Sequence, residues 1–183
     1  MLANFGHGYK QSNMEMDSKV KALIEPMLGK LCCRKRVWSF KSLALGFGKK
    51  IQHSGKLVDD FYGEWEIQTY CYAWRLIKDG KILCGSGDAV DHVNELTAVL
   101  KCVKFGRIIS LEQLTALDVR IGFDTGISID FLAAVSDEDE GITIFCPDNK
   151  CVKFTVGNGW KIGPSNKPWP KNEFLENEQA TNS

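Results

Sequence analysis

Short alternating segments joined by tight turns constrain this chain more than any other feature. Asp79-Gly80 separates the apolar segment 74–77 from its return at 81–84. Residues 124–126 and 147–150 interrupt two further pairs of alternating segments in the same way. Asp, Asn and Gly favour the backbone angles of tight turns, so the sequence predicts three hairpins and antiparallel pairing.

Two longer alternating stretches precede or enter these hairpins. Residues 38–47 alternate between apolar and polar side chains, which predicts a strand. Residues 64–77 predict another, but its alternation slips, because Trp65 and Trp74 have opposite parity. A one-residue slip reverses the buried face of a strand, so we expect a β-bulge near residues 72–74 or a strand covered on both faces.

Two other segments have the spacing of helices. From Ser18 to Leu31 the apolar positions recur every three or four residues, and Pro26 is expected to kink this helix. Residues 92–102 predict a short connector helix. The basic cluster 34–36 follows the first helix. Positive charges near a helix C-terminus are stabilising, which would explain this cluster, and contact with nucleic acid is the alternative explanation.

The order of these segments repeats along the chain. Residues 43–48 resemble residues 119–124, and the hairpin at 74–85 resembles the hairpin at 142–154. We therefore expect a mainly β (α+β) fold, an antiparallel β-sandwich or partly open barrel with an N-terminal helix and a short connector helix. It would be built from two similar β-meander units that arose by internal duplication, at about 36–91 and 104–163.

Length and cysteine content limit the class of protein. The chain of 183 residues suffices for one domain, predicted at 17–163 between a flexible extension (1–16) and a flexible acidic tail (164–183). It contains no run of 18 apolar residues, as a membrane span would require. The seven cysteines are odd in number and no signal peptide is apparent, so we expect reduced thiols and a cytoplasmic protein.

Candidate catalytic and metal-binding groups are few. His7, His53 and His92 are the three histidines, and an enzyme would need His53 and His92 to converge. Cys146 and Cys151 flank a predicted turn but lack the second close pair of a zinc ribbon. The sequence therefore predicts no enzyme, no metal and no cofactor.

Charge is distributed unevenly between the two parts of the chain. Residues 1–110 carry 17 Lys/Arg and 11 Asp/Glu, whereas residues 111–183 carry 6 and 12. A solvated loop would explain the acidic block at 137–140, but an anionic patch that mimics phosphate would suit a basic partner. The predicted partner-binding residues are Asp137, Glu138, Asp139, Glu140, Asp148 and Trp169, the last in a stiff Lys-Pro-Trp-Pro segment.

A family resemblance rests on scaffold motifs within residues 36–160. They are Gly63-Glu-Trp-Glu-Ile, Ala73-Trp-Arg, Gly80-Lys-Ile-Leu-Cys-Gly-Ser with Asp88, and Asp118-Val-Arg-Ile-Gly-Phe-Asp. The pattern resembles bacterial immunity proteins of polymorphic-toxin and contact-dependent growth inhibition systems. The resemblance implies a cytoplasmic protein that binds and blocks a toxin, and it carries over no catalytic residue and no toxin identity.

We therefore expect an immunity protein that neutralises a cognate toxin domain by protein–protein interaction, without catalysis and without direct contact to nucleic acid or membrane. A nuclease, basic because it must hold phosphates, is the expected toxin. The alternative is a small-molecule-binding β-barrel or sandwich domain that holds an apolar ligand among Trp65, Tyr72 and Trp74.

Overall fold

The predicted mainly β, antiparallel fold is confirmed. A computed structural model describes residues 16–52, 61–70, 72–134 and 141–167, which form two antiparallel sheets and two short helices. The helices are α1 (Ser18–Ile24) and α2 (Val93–Cys102), and single 3-10 turns lie at Glu25–Met27 and Ser39–Lys41. The strands are β1 (Cys32–Val37), β2 (Leu43–Gln52), β3 (Phe61–Tyr70), β4 (Ala73–Lys78), β5 (Lys81–Gly85), β6 (Ile108–Gln113), β7 (Val119–Phe123), β8 (Ile127–Leu132), β9 (Gly141–Cys146), β10 (Lys150–Thr155) and β11 (Gly159–Pro164).

The two sheets enclose one hydrophobic core. Their strand orders are β1-β2-β3-β9-β10-β11 and β5-β4-β8-β7-β6. Alternate side chains of each strand point inward, and α1 and α2 add Val20, Ile24, Leu96 and Leu100 to the same core. Phe123 joins the sheets, because its ring stacks on Phe47 at 6.2 Å between centroids and meets Phe105 edge-on at 5.0 Å.

The prediction of a single strand at 64–77 is wrong. β3 ends at Tyr70 in the six-stranded sheet, and β4 begins at Ala73 in the five-stranded sheet. The chain therefore passes from one sheet to the other where the sequence shows its change of parity. Trp65 and Trp74 can both point into the core, since each faces it from a different sheet.

Two other local predictions also need correction. The strand predicted at 38–47 is interrupted by the 3-10 turn Ser39–Lys41, and β2 begins only at Leu43. The basic cluster 34–36 does not follow a helix end but belongs to β1. The connector helix is confirmed, with His92 as its N-cap in a capping box with Glu95.

The two parts of the chain have matching local connectivity. Cys32 pairs with Phe47 and Ile108 with Phe123, and a bulge follows each pair. Cys32 N donates to Gly106 O at 2.9 Å, and Ile108 N donates to Lys30 O at 3.0 Å, which makes the contact between the two parts reciprocal. The internal duplication, with units at about 36–91 and 104–163, stays a prediction.

Each three-stranded meander is completed by strands from the other part of the chain. β1-β2-β3 is extended by β9, and β6-β7-β8 is extended by β4. α2 lies against the edge strands β1 and β5, and α1 lies against β11. Neither helix of the described ranges has the length and apolar character needed to cross a bilayer.

Candidate protein-binding face

The structure describes one of the six predicted partner-binding residues. Asp148 is exposed in the turn after β9, with φ 62°. The acidic block 137–140 and Trp169 lie outside the described residues, so the contact predicted for them stays a prediction.

His92, the histidine within the described residues, caps the start of α2. His92 Nδ1 accepts a hydrogen bond from Asn94 N at 3.2 Å, and Glu95 Oε1 accepts one from His92 N at 2.9 Å. These bonds satisfy free amide groups at the start of α2. His7 and His53 lie outside the described residues, so the convergence of His53 with His92 that an enzyme would need is not tested.

Within the described ranges, the six cysteines form no disulfide with one another. Burial raises the pKa of Cys32 to about 12 and the pKa values of Cys84 and Cys146 to about 11, so these thiols are neutral at pH 7. Cys146 pairs with Lys150 while Cys151 pairs with Phe145, which places the two thiols on opposite faces of the sheet. Among these ranges no group of three or more His, Cys, Asp or Glu side chains could hold a metal ion.

The aromatic residues of the predicted ligand cavity belong to the core. Trp65, Tyr72 and Trp74 are 5%, 2% and 2% exposed and form one cluster with the aliphatic side chains of both sheets. Trp74 Nε1 donates to Lys41 O at 2.7 Å, and Tyr72 Oη donates to Leu117 O at 2.9 Å. The side-chain polar atoms of Trp74 and Tyr72 are therefore bound to backbone carbonyls rather than directed at a ligand.

The outer face of the five-stranded sheet carries a row of charged side chains that the sequence did not reveal. Strand pairing aligns Arg75 of β4 with Asp130 of β8, and Asp130 with Arg120 of β7. Arg75 Nε and Nη2 lie 3.0 and 2.9 Å from Asp130 Oδ2. Arg120 Nε lies 2.5 Å from Oδ1 and its Nη2 lies 3.0 Å from Oδ2. One carboxylate thus orients two guanidinium groups.

Exposure differs sharply within this row. The Asp130 side chain is 0% exposed, whereas those of Arg75 and Arg120 are 41% and 36% exposed. Burial alone would raise the pKa of Asp130, but hydrogen bonds from Arg120 and Arg75 outweigh it and hold the pKa below its ordinary value. The same bond raises the pKa of Arg120. The ionised Asp130 is a fixed internal support, and a partner would meet the two arginines.

Exposed apolar side chains border the arginines. Ile77 pairs with Ile82 on this face, and Ile82 is 59% exposed. On the other side, Ile109 is 56% exposed and lies beside Gly122. Because Leu132 is aligned with Ala73, two residues from the Arg75–Asp130 pair, it belongs to the same surface. We name this surface the arginine face and define it by Arg75, Asp130, Arg120, Ile77, Ile82, Ile109 and Leu132.

The arginine face is open within the described part of the protein. α2 contacts the edge strand β5, and α1 contacts β11 of the other sheet, so neither helix lies across its centre. Exposed isoleucines around preorganised arginines are typical of protein-binding surfaces, where apolar contacts exclude water from charged groups. The arrangement presents guanidinium donors of Arg75 and Arg120 at the surface, and Glu112 lies opposite Arg120 on β6.

Stability should depend on the ionisation of Asp130 at low pH. Because its folded-state pKa lies below the ordinary value of 3.8, Asp130 contributes stability that is present above that value and is lost as the pH falls through the folded-state pKa. We expect Asp130→Asn to be less stable than wild type near neutral pH, with a difference that shrinks as the pH falls below about 4. Urea unfolding of both proteins across this range measures it; a pH-independent difference would contradict the expectation.

A second charged cluster lies on the outer face of the six-stranded sheet. Arg34 Nη1 donates to Glu66 Oε2 at 2.8 Å, and the two side chains are 5% and 6% exposed. Glu66 Oε1 accepts from Gly63 N at 2.7 Å. The Arg34 guanidinium lies 5.6 Å from the Trp38 ring and 5.8 Å from the Tyr62 ring. Its burial makes this cluster structural, unlike the exposed arginines of the arginine face.

Other exposed features of the surface are less developed. A shallow depression of about 400 Å³ lies on the outer face of the six-stranded sheet, lined by Gln68, Thr69, Tyr70, Thr143, Phe145 and Lys153. Phe40 is 91% exposed and has φ 57° in the turn between β1 and β2. Neither feature combines charged and apolar groups with the preorganisation seen at the arginine face.

Comparisons of the chain with protein-family models, curated proteins and solved structures found no match.

Proposed function

We propose that this chain is a protein-binding domain that neutralises a cognate toxin domain without catalysis, and that the arginine face takes part in the contact. The observation that carries the proposal is the preorganised pair Arg75 and Arg120, held by buried Asp130 within a border of exposed isoleucines. Arginine and large apolar side chains dominate the energetics of protein interfaces when they are desolvated together.

The physical state of the arginines supports this role. A long, flexible side chain loses conformational entropy when a partner immobilises it. Arg75 and Arg120 are already restrained by their bonds to Asp130, so part of that loss occurs during folding. An immunity protein, which has to retain its toxin tightly, benefits from such preorganisation. The toxin as partner follows from the family resemblance, and the acidic block 137–140 stays a predicted second contact.

The proposal is tested with the purified C-terminal domain of whatever large secreted protein is encoded next to this chain, and the absence of such a neighbour would contradict it. Mixed with the full chain, it should form a stoichiometric complex in size-exclusion chromatography with light scattering, and its toxic activity should be abolished. The matched measurement uses Ile82→Asp, which changes an exposed side chain and therefore leaves folding intact. It should weaken the complex, because it places a desolvated charge in the interface.

Lys19→Asp serves as the control, because Lys19 is exposed on α1, which contacts β11 of the six-stranded sheet, and is not one of the residues that define the arginine face. It should leave the affinity nearly unchanged. Absence of a complex at micromolar concentrations, or a complex in which toxic activity persists, would contradict the proposed function.

A further inference from the structure

The hydrogen bonds to Asp130 determine which N–H groups of the two arginines remain for a partner. Nε and Nη2 of both Arg75 and Arg120 point at Asp130. Within the described residues the Nη1 group of each arginine has no hydrogen-bond acceptor, and both side chains are more than one-third exposed. Two charge-bearing donor groups therefore face outward from neighbouring positions on either side of one buried carboxylate.

The charge of the row argues against a polyanion as the occupant. Two guanidinium groups and the Asp130 carboxylate leave a single net positive charge, and Glu112, opposite Arg120 on β6, offsets it over the whole row. Binding of one carboxylate would therefore depend on the outward donor groups and not on a surplus of positive charge. A nucleic acid needs a track of positive charges along successive phosphates, whereas this face offers an isolated pair beside an acidic residue. The bordering isoleucines would also meet an apolar surface better than a hydrated phosphate backbone.

The isoleucines determine how strong such a contact can be. Ile77 and Ile82 border Arg75, and Ile109 lies on the opposite border next to Gly122. When a partner covers these side chains, water is excluded and hydrogen bonds between guanidinium and carboxylate become stronger. The combination fits a partner side chain that carries a carboxylate and is itself surrounded by apolar residues.

We propose that the arginine face receives an Asp or Glu side chain of the partner protein, bound by the outward donors of Arg75 and Arg120. The inference rests on the proposed function and specifies the partner's chemistry at that surface. At this contact the partner contributes a negative charge, whereas the acidic block 137–140 is predicted to meet positively charged residues of the partner.

The first test measures the affinity of the toxin domain for the full chain by isothermal titration calorimetry. Arg75→Gln/Arg120→Gln should weaken binding by about 30-fold or more, because it leaves a desolvated carboxylate of the partner without its donors. Arg75→Lys/Arg120→Lys retains charge and folding but loses the planar fork, so about a 10-fold loss is expected. The control Lys19→Gln/Lys101→Gln removes two positive charges from exposed helix positions and should change the affinity less than about 3-fold.

A double-mutant cycle that combines Arg120→Lys with Asp→Asn or Glu→Gln substitutions in the toxin domain should then show coupling at the partner carboxylate, which identifies it directly. Equal losses in the Gln variant and the Lys19/Lys101 control would overturn the inference, as would unchanged binding of both arginine variants. In either case the complex with wild type would still stand, so the proposed function would survive.

A second probe does not depend on the toxin. A random peptide library selected on the immobilised full chain should yield sequences with Asp or Glu flanked by apolar residues, and these peptides should lose binding to Arg75→Gln/Arg120→Gln. Peptides enriched in Lys or Arg, or without charge preference, would overturn the inference. Binding of a short labelled single-stranded DNA that is lost in the same variant would also overturn it, since the site would then take phosphate.

Discussion

Replacing Phe123 with alanine should lower the free energy of unfolding by about 3–5 kcal/mol, the largest effect we expect from a single core truncation. Phe123 is 2% exposed and contacts Phe47 of the other sheet and Phe105 of the segment before β6. Its removal opens a cavity at the point where both sheets meet. Close-packed neighbours cannot collapse fully into such a space, so the loss includes a cavity penalty as well as lost burial.

Urea unfolding of the full chain, followed by tryptophan fluorescence, measures the change. Phe40→Ala is the matched control, because it removes the same ring from a side chain that is 91% exposed. It should alter stability by less than about 0.5 kcal/mol. A loss below about 1 kcal/mol for Phe123→Ala would show that the sheets are not held together by this contact.

Replacing Glu66 with glutamine should cost about 3–5 kcal/mol, since it leaves the buried Arg34 charge without its carboxylate. Arg34 and Glu66 are 5% and 6% exposed, so water cannot take the place of the missing oxygen. The substitution keeps the shape of the side chain, which separates the loss of charge from a change in packing. The measurement is again the free energy of unfolding in urea.

Glu64 provides an unusually close control on the same strand and the same face. Glu64 Oε2 lies 3.2 Å from Lys30 Nζ, but the side chains of Lys30 and Glu64 are 36% and 25% exposed. Glu64→Gln should therefore cost less than about 1 kcal/mol. Replacing both buried partners, as Arg34→Met/Glu66→Leu, should recover part of the Glu66→Gln loss, because no unpaired charge remains. Equal costs for the two glutamates would contradict the burial argument.

Local signals predicted much of the fold. Asp79-Gly80 forms the turn between β4 and β5, with positive φ at both residues, as a tight hairpin requires. The turns at 124–126 and 147–150 likewise join antiparallel neighbours. The edge strands β1 and β11 were missed, because β1 is highly basic and β11 contains three glycine or proline residues, so neither shows a clear alternation.

Part of the arginine face could also have been found earlier. The turn at 124–126 pairs Gly122 with Ser128, and counting outward places Arg120 opposite Asp130. Arg75 could not have been added in this way, because β4 reaches β8 across the 48 intervening residues from 79 to 126, and no local turn fixes that pairing. The function of the arginine face stays a proposal, because its residues come from distant strands and form no sequence motif.

The sequence by itself determined the hairpins, the two helices and the β class, because turn residues and periodicity act over a few positions. Only the tertiary structure decided which sheet each strand joins, that the parity change marks a crossing between sheets, and that Arg75, Asp130 and Arg120 meet. Gly46 illustrates the difference: its place in an alternating strand is local, but a Cβ there would lie 2.6 Å from Glu66 Oε1. Such close approaches depend on pairing between distant strands. The alternation of buried and exposed residues along one strand does not identify the strand with which it pairs.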